Sequence, residues 1–172
     1  GMSYRAPTPE GLKPKDLIGV PWRIAFALQD DGWYLRTDII WNKPNCQPES
    51  VKDRPTRSHE YVFLFSKNEK YFYDHEAIKE PALDVKQRSK NRRTVWSINT
   101  EPYPGSHFAV FPKQLARLCV LAGSMKGDRV LDPFFGSGTT GVVCNDLDRQ
   151  CTGVELNEDY AELARSRLLR GT

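Results

Sequence analysis

The run Val130-Leu131-Asp132-Pro133-Phe134-Phe135-Gly136-Ser137-Gly138-Thr139-Thr140-Gly141 decides the fold of this chain. Residues 129–132 pattern as a strand and residues 140–147 as a helix, and GxGxxG spacing begins at their junction. Glycines there let backbone approach a ligand, and a helix N-terminus offers N–H groups that lack intrahelical partners. Outward from the loop, residues 150–155 read as a second strand and residues 157–169 as a helix, with another helix at 112–122 before the first strand. This βαβα run implies adjacent parallel strands joined by a right-handed crossover, an α/β architecture. Glu155 ends the second strand, where a carboxylate can accept both hydroxyls of a ribose, so the unit points to a nucleoside cofactor. The plainer alternative is a tight turn whose glycines serve only backbone conformation, with Glu155 a surface residue.

NAD shares this spacing and the acidic strand end. Here, however, Asp132-Pro133-Phe134-Phe135 separates the strand from the first glycine and puts a carboxylate at the start of the loop. That carboxylate can meet an ammonium, which S-adenosyl-L-methionine has, and would repel a pyrophosphate. S-adenosyl-L-methionine is therefore the expected cofactor.

Upstream, residues 16–29 pattern as a helix with Pro21 near its first turn, and Asp30-Asp31-Gly32 stops it. Residues 33–41 alternate as a strand, and 42–56 form a proline-bearing loop. Residues 61–66 read as a strand that turns at 67–70 onto a short partner at 71–73, an antiparallel hairpin. From 76 to 105 the pattern fades, and Lys86, Arg88, Lys90, Arg92 and Arg93 fall close together.

The chain has 172 residues, 39% of them hydrophobic, enough apolar surface for one core. Its net charge of +3 is too small to demand a polyanionic partner, so the clustering of cations matters more than their sum. Cys46, Cys119, Cys144 and Cys151 show no CxxC spacing, and reduced, buried thiols are expected instead of disulfides or metal ligands. No apolar run nears the roughly 20 residues that span a bilayer. With no basic-then-apolar leader after Met2, a cytoplasmic protein without a membrane partner is expected.

DPFFGSGTTG at 132–141, followed by GVELNEDYAELARSRL at 153–168, resembles the cofactor motifs of DNA methyltransferases that modify adenine N6 or cytosine N4. Three upstream blocks resemble that family in its permuted, beta-type order, as in phage-like DNA modification methylases. They are Asp38-Ile39-Ile40-Trp41-Asn42-Lys43-Pro44-Asn45, residues 59–67 from His59 to Lys67, and His107-Phe108-Ala109-Val110-Phe111-Pro112. The blocks argue against an NAD-dependent oxidoreductase or a small-molecule methyltransferase on the same fold.

The resemblance implies a Rossmann-like methyltransferase sheet, mostly parallel with an antiparallel hairpin. It covers 1–172 as a single partial domain, with 76–105 a target-recognition-like insert. Asp132, Phe134, Phe135, Gly136, Ser137, Gly138, Thr139 and Thr140 would wrap the cofactor, with Glu155 and Leu156 at its ribose. His107, Phe108, Phe111 and Pro112 would lie near its methionine end. Lys86, Arg88, Lys90, Arg92 and Arg93 would contact DNA phosphates.

The family resembled carries an Asp, Asn or Ser followed by Pro-Pro and an aromatic, after a central strand. This chain contains no Pro-Pro, and Thr100-Glu101-Pro102-Tyr103-Pro104 lacks the first proline and follows no clear strand. No catalytic residue is therefore assigned, and the chain alone is expected to be inactive. The strand bearing that motif belongs between the 129–132 and 33–41 strands, so the sheet is expected to be incomplete. A preceding N-terminal segment, or self-association, could complete it. The alternative function is a non-catalytic remnant that binds nucleosides or DNA.

Overall fold

The computed structural model describes residues 7–82, 88–101 and 110–170. The first helix, α1 (Val20–Asp30), starts later than residue 16 because Pro21 fits only a first turn, and Gly19 enters it in a left-handed conformation at φ 70°. Asp16 closes a turn instead, its carboxylate accepting the Lys13 N–H at 2.8 Å. Trp22 on α1 packs edge-on against Tyr61 and Phe63, with ring centroids 5.3 and 4.9 Å away.

Strand β1 (Tyr34–Asn42) pairs antiparallel with β2 (His59–Ser66), Ile39 standing opposite Val62 and Trp41 opposite Glu60. This corrects the expected hairpin, since residues 71–73 form no strand and β2 takes β1 as its partner. The physical reason is length. Nine residues of β1 offer a full ladder and bury Ile39 and Trp41, whereas Tyr71, Phe72 and Tyr73 would offer three residues and stay partly exposed. That segment is tied to a later helix instead, Asp74 N–H donating to the Ala122 carbonyl at 2.9 Å.

The stretch expected to be irregular contains three short strands. Two of them, β3 (Glu80–Pro81) and β4 (Ser89–Lys90), pair antiparallel. The third, β5 (Val95–Ser97), lies parallel to β1, giving the order β2-β1-β5. Trp96 is buried there, and the Trp41 indole donates to the Ile98 carbonyl at 2.8 Å.

Helix α2 (Lys113–Gly123) joins two cores. Leu115, Leu118 and Ala122 meet Ile39, Trp41, Trp96 and Ile98, while Ala116 and Val120 meet Val143, Cys144 and Leu147. The remaining elements are β6 (Arg129–Asp132), α3 (Thr139–Asp146), β7 (Gln150–Gly153) and α4 (Glu158–Arg170), and β6 and β7 run parallel as the βαβ pattern requires. Among the described residues no strand joins β6 to the β2-β1-β5 sheet. A cleft of about 400 Å³ lies there instead, lined by Val62 of β2, Leu115 and Cys119 of α2 and Val130 of β6. No described helix is long and apolar enough to cross a membrane.

Candidate functional site

Strand β6 delivers Asp132 to the mouth of the glycine loop. One carboxylate oxygen accepts the Phe134 N–H at 3.0 Å and the other accepts the Thr140 hydroxyl at 2.6 Å. Asp132 therefore spans the loop from its entry to the first turn of α3. The loop is pinned to β7 as well, Phe135 N–H donating to the Val154 carbonyl and Val154 N–H to the Asp132 carbonyl, both at 2.9 Å.

Glu155 follows β7 and holds the loop from the other side. Its carboxylate accepts the Gly136 N–H at 2.7 Å and the Asn157 N–H at 2.9 Å. These backbone donors, Asn157 first and then Gly136, hold the Glu155 carboxyl below the usual carboxylate range. The spacing that suggested a ribose acceptor did not reveal this second task. Each oxygen keeps a lone pair for a further donor.

The loop glycines are required for different reasons. Gly136 and Gly138 have φ of 50° and 80°, and a Cβ on Gly138 would come within 2.9 Å of the Ala164 Cβ on α4. A Cβ on Gly136 would meet nothing nearer than the Phe134 carbonyl at 3.9 Å, so backbone there is open to a ligand. Phe135 turns inward, its ring filling the places where Gly141 and Gly153 have no side chain. Phe134 and Leu156, in contrast, are 87% and 98% exposed.

Ser137, Gly138, Thr139 and Thr140 are buried. The Thr139 hydroxyl is buried at the α3 N-terminus and has no hydrogen-bond partner among the described residues. Pro112 caps α2 and is fully buried, while Phe111 lines the same cleft as Thr140, so the start of α2 and the start of α3 share one wall. His107 and Phe108 lie outside the described residues.

Sequence reasoning missed Arg167. It lies on α4 and donates from Nη1 to the Ser137 carbonyl at 2.6 Å and to the Ser137 hydroxyl at 2.8 Å. A usable signal was the i, i+3, i+4 spacing of Ala164, Arg167 and Leu168, which puts all three on one helix face.

The basic stretch is largely engaged in structure. Arg92 donates from Nε to the Ile78 carbonyl at 2.7 Å, and Arg93 donates from Nε to the Glu80 carboxylate at 2.9 Å. Lys90 lies 3.6 Å from the same carboxylate. Arg88 is exposed with no ion-pair partner among the described residues, and Lys86 lies outside them. No cluster of histidine, cysteine or carboxylate side chains suited to a metal occurs among the described residues.

The motif blocks, the βαβ unit and the loop geometry converge with sequence comparison. A family model described as DNA methylase matches residues 3–166. The chain belongs to the DNA methylase family. It is 80% identical over 169 residues to Type II methyltransferase M.SmaI of Serratia marcescens, covering 98% of this chain and 58% of that protein. It is 64% identical over 167 residues to Type II methyltransferase M.Cfr9I of Citrobacter freundii, covering 97% and 55%. The chain thus spans a little over half the length of these relatives.

Among solved structures, the M1.HpyAVI–SAM complex matches with a TM-score of 0.70 and 25% identity, over 89% of this chain and 71% of that one. TTHA0409 from Thermus thermophilus, complexed with S-adenosyl-L-methionine, matches at 0.64 and 28%, over 89% and 60%. The chain therefore has a Rossmann-like methyltransferase fold, with its main sheet in two parts among the described residues.

Proposed function

We propose that this methylase binds S-adenosyl-L-methionine at the loop between β6 and α3, as part of a protein that methylates an exocyclic amino group of adenine or cytosine in DNA. The observation that carries this reading is the convergence of two carboxylates, Asp132 and Glu155, on a loop whose Gly136 backbone stays open. Asp132 supplies negative charge for an ammonium, and Glu155 has lone pairs left for ribose hydroxyls. Exposed Phe134 and Leu156 offer apolar surface that a purine would cover. The orphaned Thr139 hydroxyl belongs to the same loop and marks it as a place still short of a partner. When bound, the cofactor supplies an electrophilic methyl on a sulfonium. This chain's residues bind and orient it.

The target amino nitrogen carries a lone pair delocalised into the base ring, and an acceptor must reorient it before attack. The family's motif for that task is missing from these 172 residues, since no Pro-Pro occurs. Catalysis therefore depends on a segment outside this chain, and the chain alone is inactive. The exposed cation of Arg88, which has no ion-pair partner among the described residues, supports DNA as the partner.

Calorimetry with the cofactor tests the site. Binding in the micromolar class or weaker is expected for the parent chain, and Gly136→Asp, which crowds the open backbone and adds a side chain at positive φ, should lower it. Equal binding by both chains, or a preference for NAD, overturns the assignment.

A further inference from the structure

Ser137 stands between two left-handed glycines, so neither a helix nor a ladder offers its carbonyl a regular partner. The residue is nonetheless buried, and a buried carbonyl without a donor is costly. The donor comes from thirty residues downstream. Arg167 reaches from α4 and gives one nitrogen to both the carbonyl and the hydroxyl of Ser137, at 2.6 and 2.8 Å. The same face of α4 closes on the loop through apolar contacts, with Ala164 beside Gly138 and Leu168 beside Gly141.

We propose that Arg167 is a positioning residue of the cofactor site, fixing the 136–138 backbone from behind while Glu155 fixes it from the front. The inference rests on the reading of this loop as the cofactor site. The two grips are complementary in chemistry. Glu155 takes the one backbone donor of Gly136, and Arg167 takes the two acceptors of Ser137. Together they hold both sides of the peptide segment that faces the ligand, so its backbone is fixed before the ligand arrives. Preorganisation of this kind raises affinity by removing the ordering cost from the binding step. An arginine suits the task because its planar fork loses little freedom on bonding, whereas a lysine ammonium is a flexible point charge.

The test uses the chain as it stands, with S-adenosyl-L-methionine as probe, in Arg167→Met and Arg167→Lys variants. Affinity is measured by calorimetry well below the melting temperature of every chain compared, so that all molecules are folded. Loss of two charge-assisted hydrogen bonds should weaken binding by about ten- to a hundredfold in Arg167→Met, with Arg167→Lys recovering part of it. Amide hydrogen exchange should speed up at 136–138 and stay unchanged within β6 and α2. A residue that only stabilised α4 would lower the melting temperature and leave affinity and loop exchange alone, and that result overturns the proposal. Should Arg167→Met fail to fold, Arg167→Gln, whose shorter side chain carries no charge, carries the same test, and parent-like affinity in it is likewise decisive against. A parent chain that does not bind the cofactor overturns the site reading itself, whereas binding by the parent with no change in the variants overturns only the role of Arg167.

Discussion

Glu155 shows what a single side chain adds beyond its motif. Its spacing from the glycines was legible in the sequence, but spacing does not say that the carboxylate also holds the loop. With its carboxyl depressed by the Asn157 and Gly136 N–H groups, the group is ionised in the folded state down to a lower pH than in the unfolded chain. Its stabilising contribution is fully present above the ordinary carboxylate range and disappears as pH falls through the depressed value. Cofactor affinity measured across a pH series should therefore be flat, as far as this group governs it, from neutral down to the ordinary carboxylate range and should drop only below it. A fall centred near neutrality would show that another group controls the site. Phe135 was illegible for a related reason. Three residues between a strand and a glycine carry no periodicity, so nothing in the sequence says that Phe134 faces out and Phe135 faces in. Gly153→Ala tests that packing, because its Cβ would run into the Phe135 ring and should cost about 1–3 kcal/mol in urea unfolding. An unchanged midpoint would mean that the ring moves aside freely.

Among the elements, the long periodic ones were legible and the short or long-range ones were not. α2 and α4 stand close to where apolar periodicity puts them, since each carries enough residues to define a face, while β6, α3 and β7 were legible through the glycine loop between them. β5 has only three, and its place beside β1 is set by tertiary packing of Trp96. The β1–β2 pairing spans a long loop, so the local turn at 67–70 suggested the wrong partner. The same limit affects the basic stretch, where charge was visible but pairing was not. Arg92 commits its Nε to the Ile78 carbonyl, and Arg93 and Lys90 share Glu80. Arg88→Ala should therefore reduce the log–log salt slope of DNA binding by about 1. Arg92→Ala should leave the slope nearly unchanged while costing about 1–2 kcal/mol of stability, through the carbonyl it abandons. Filter binding across a salt series, beside urea unfolding, separates the two effects. An equal loss of slope in both variants would show that Arg92 also reaches phosphate.

At the scale of the whole molecule the sheet stands in two parts, joined by α2, which packs against both cores. Beyond β5, residues 34–39 of β1 have no strand on the side away from β2, the free side of β6 has none either among the described residues, and an apolar cleft lies between the two sheets. Val20 and Ile24 leave apolar surface of α1 uncovered as well, which marks a surface that calls for a partner. The relatives are longer than this chain by an amount ample for a further strand and helix. A segment carrying the acceptor-Pro-Pro-aromatic motif should dock in that cleft, and the chain without it should not methylate DNA. Cys119 provides a readout independent of activity. It lines the cleft and is exposed there, and the apolar walls push its thiol up to about 11, so reagent can reach it and alkylation should quicken as pH rises. Adding the docking segment should protect Cys119 from alkylation and, in the same mixture, start the transfer of labelled methyl groups to mixed-sequence DNA. Protection without transfer would place the strand correctly and the catalytic motif wrongly. Robust transfer by the chain alone would mean that the reorienting acceptor is already present, with Asp38 and the Glu101-Pro102-Tyr103 sequence the first places to look.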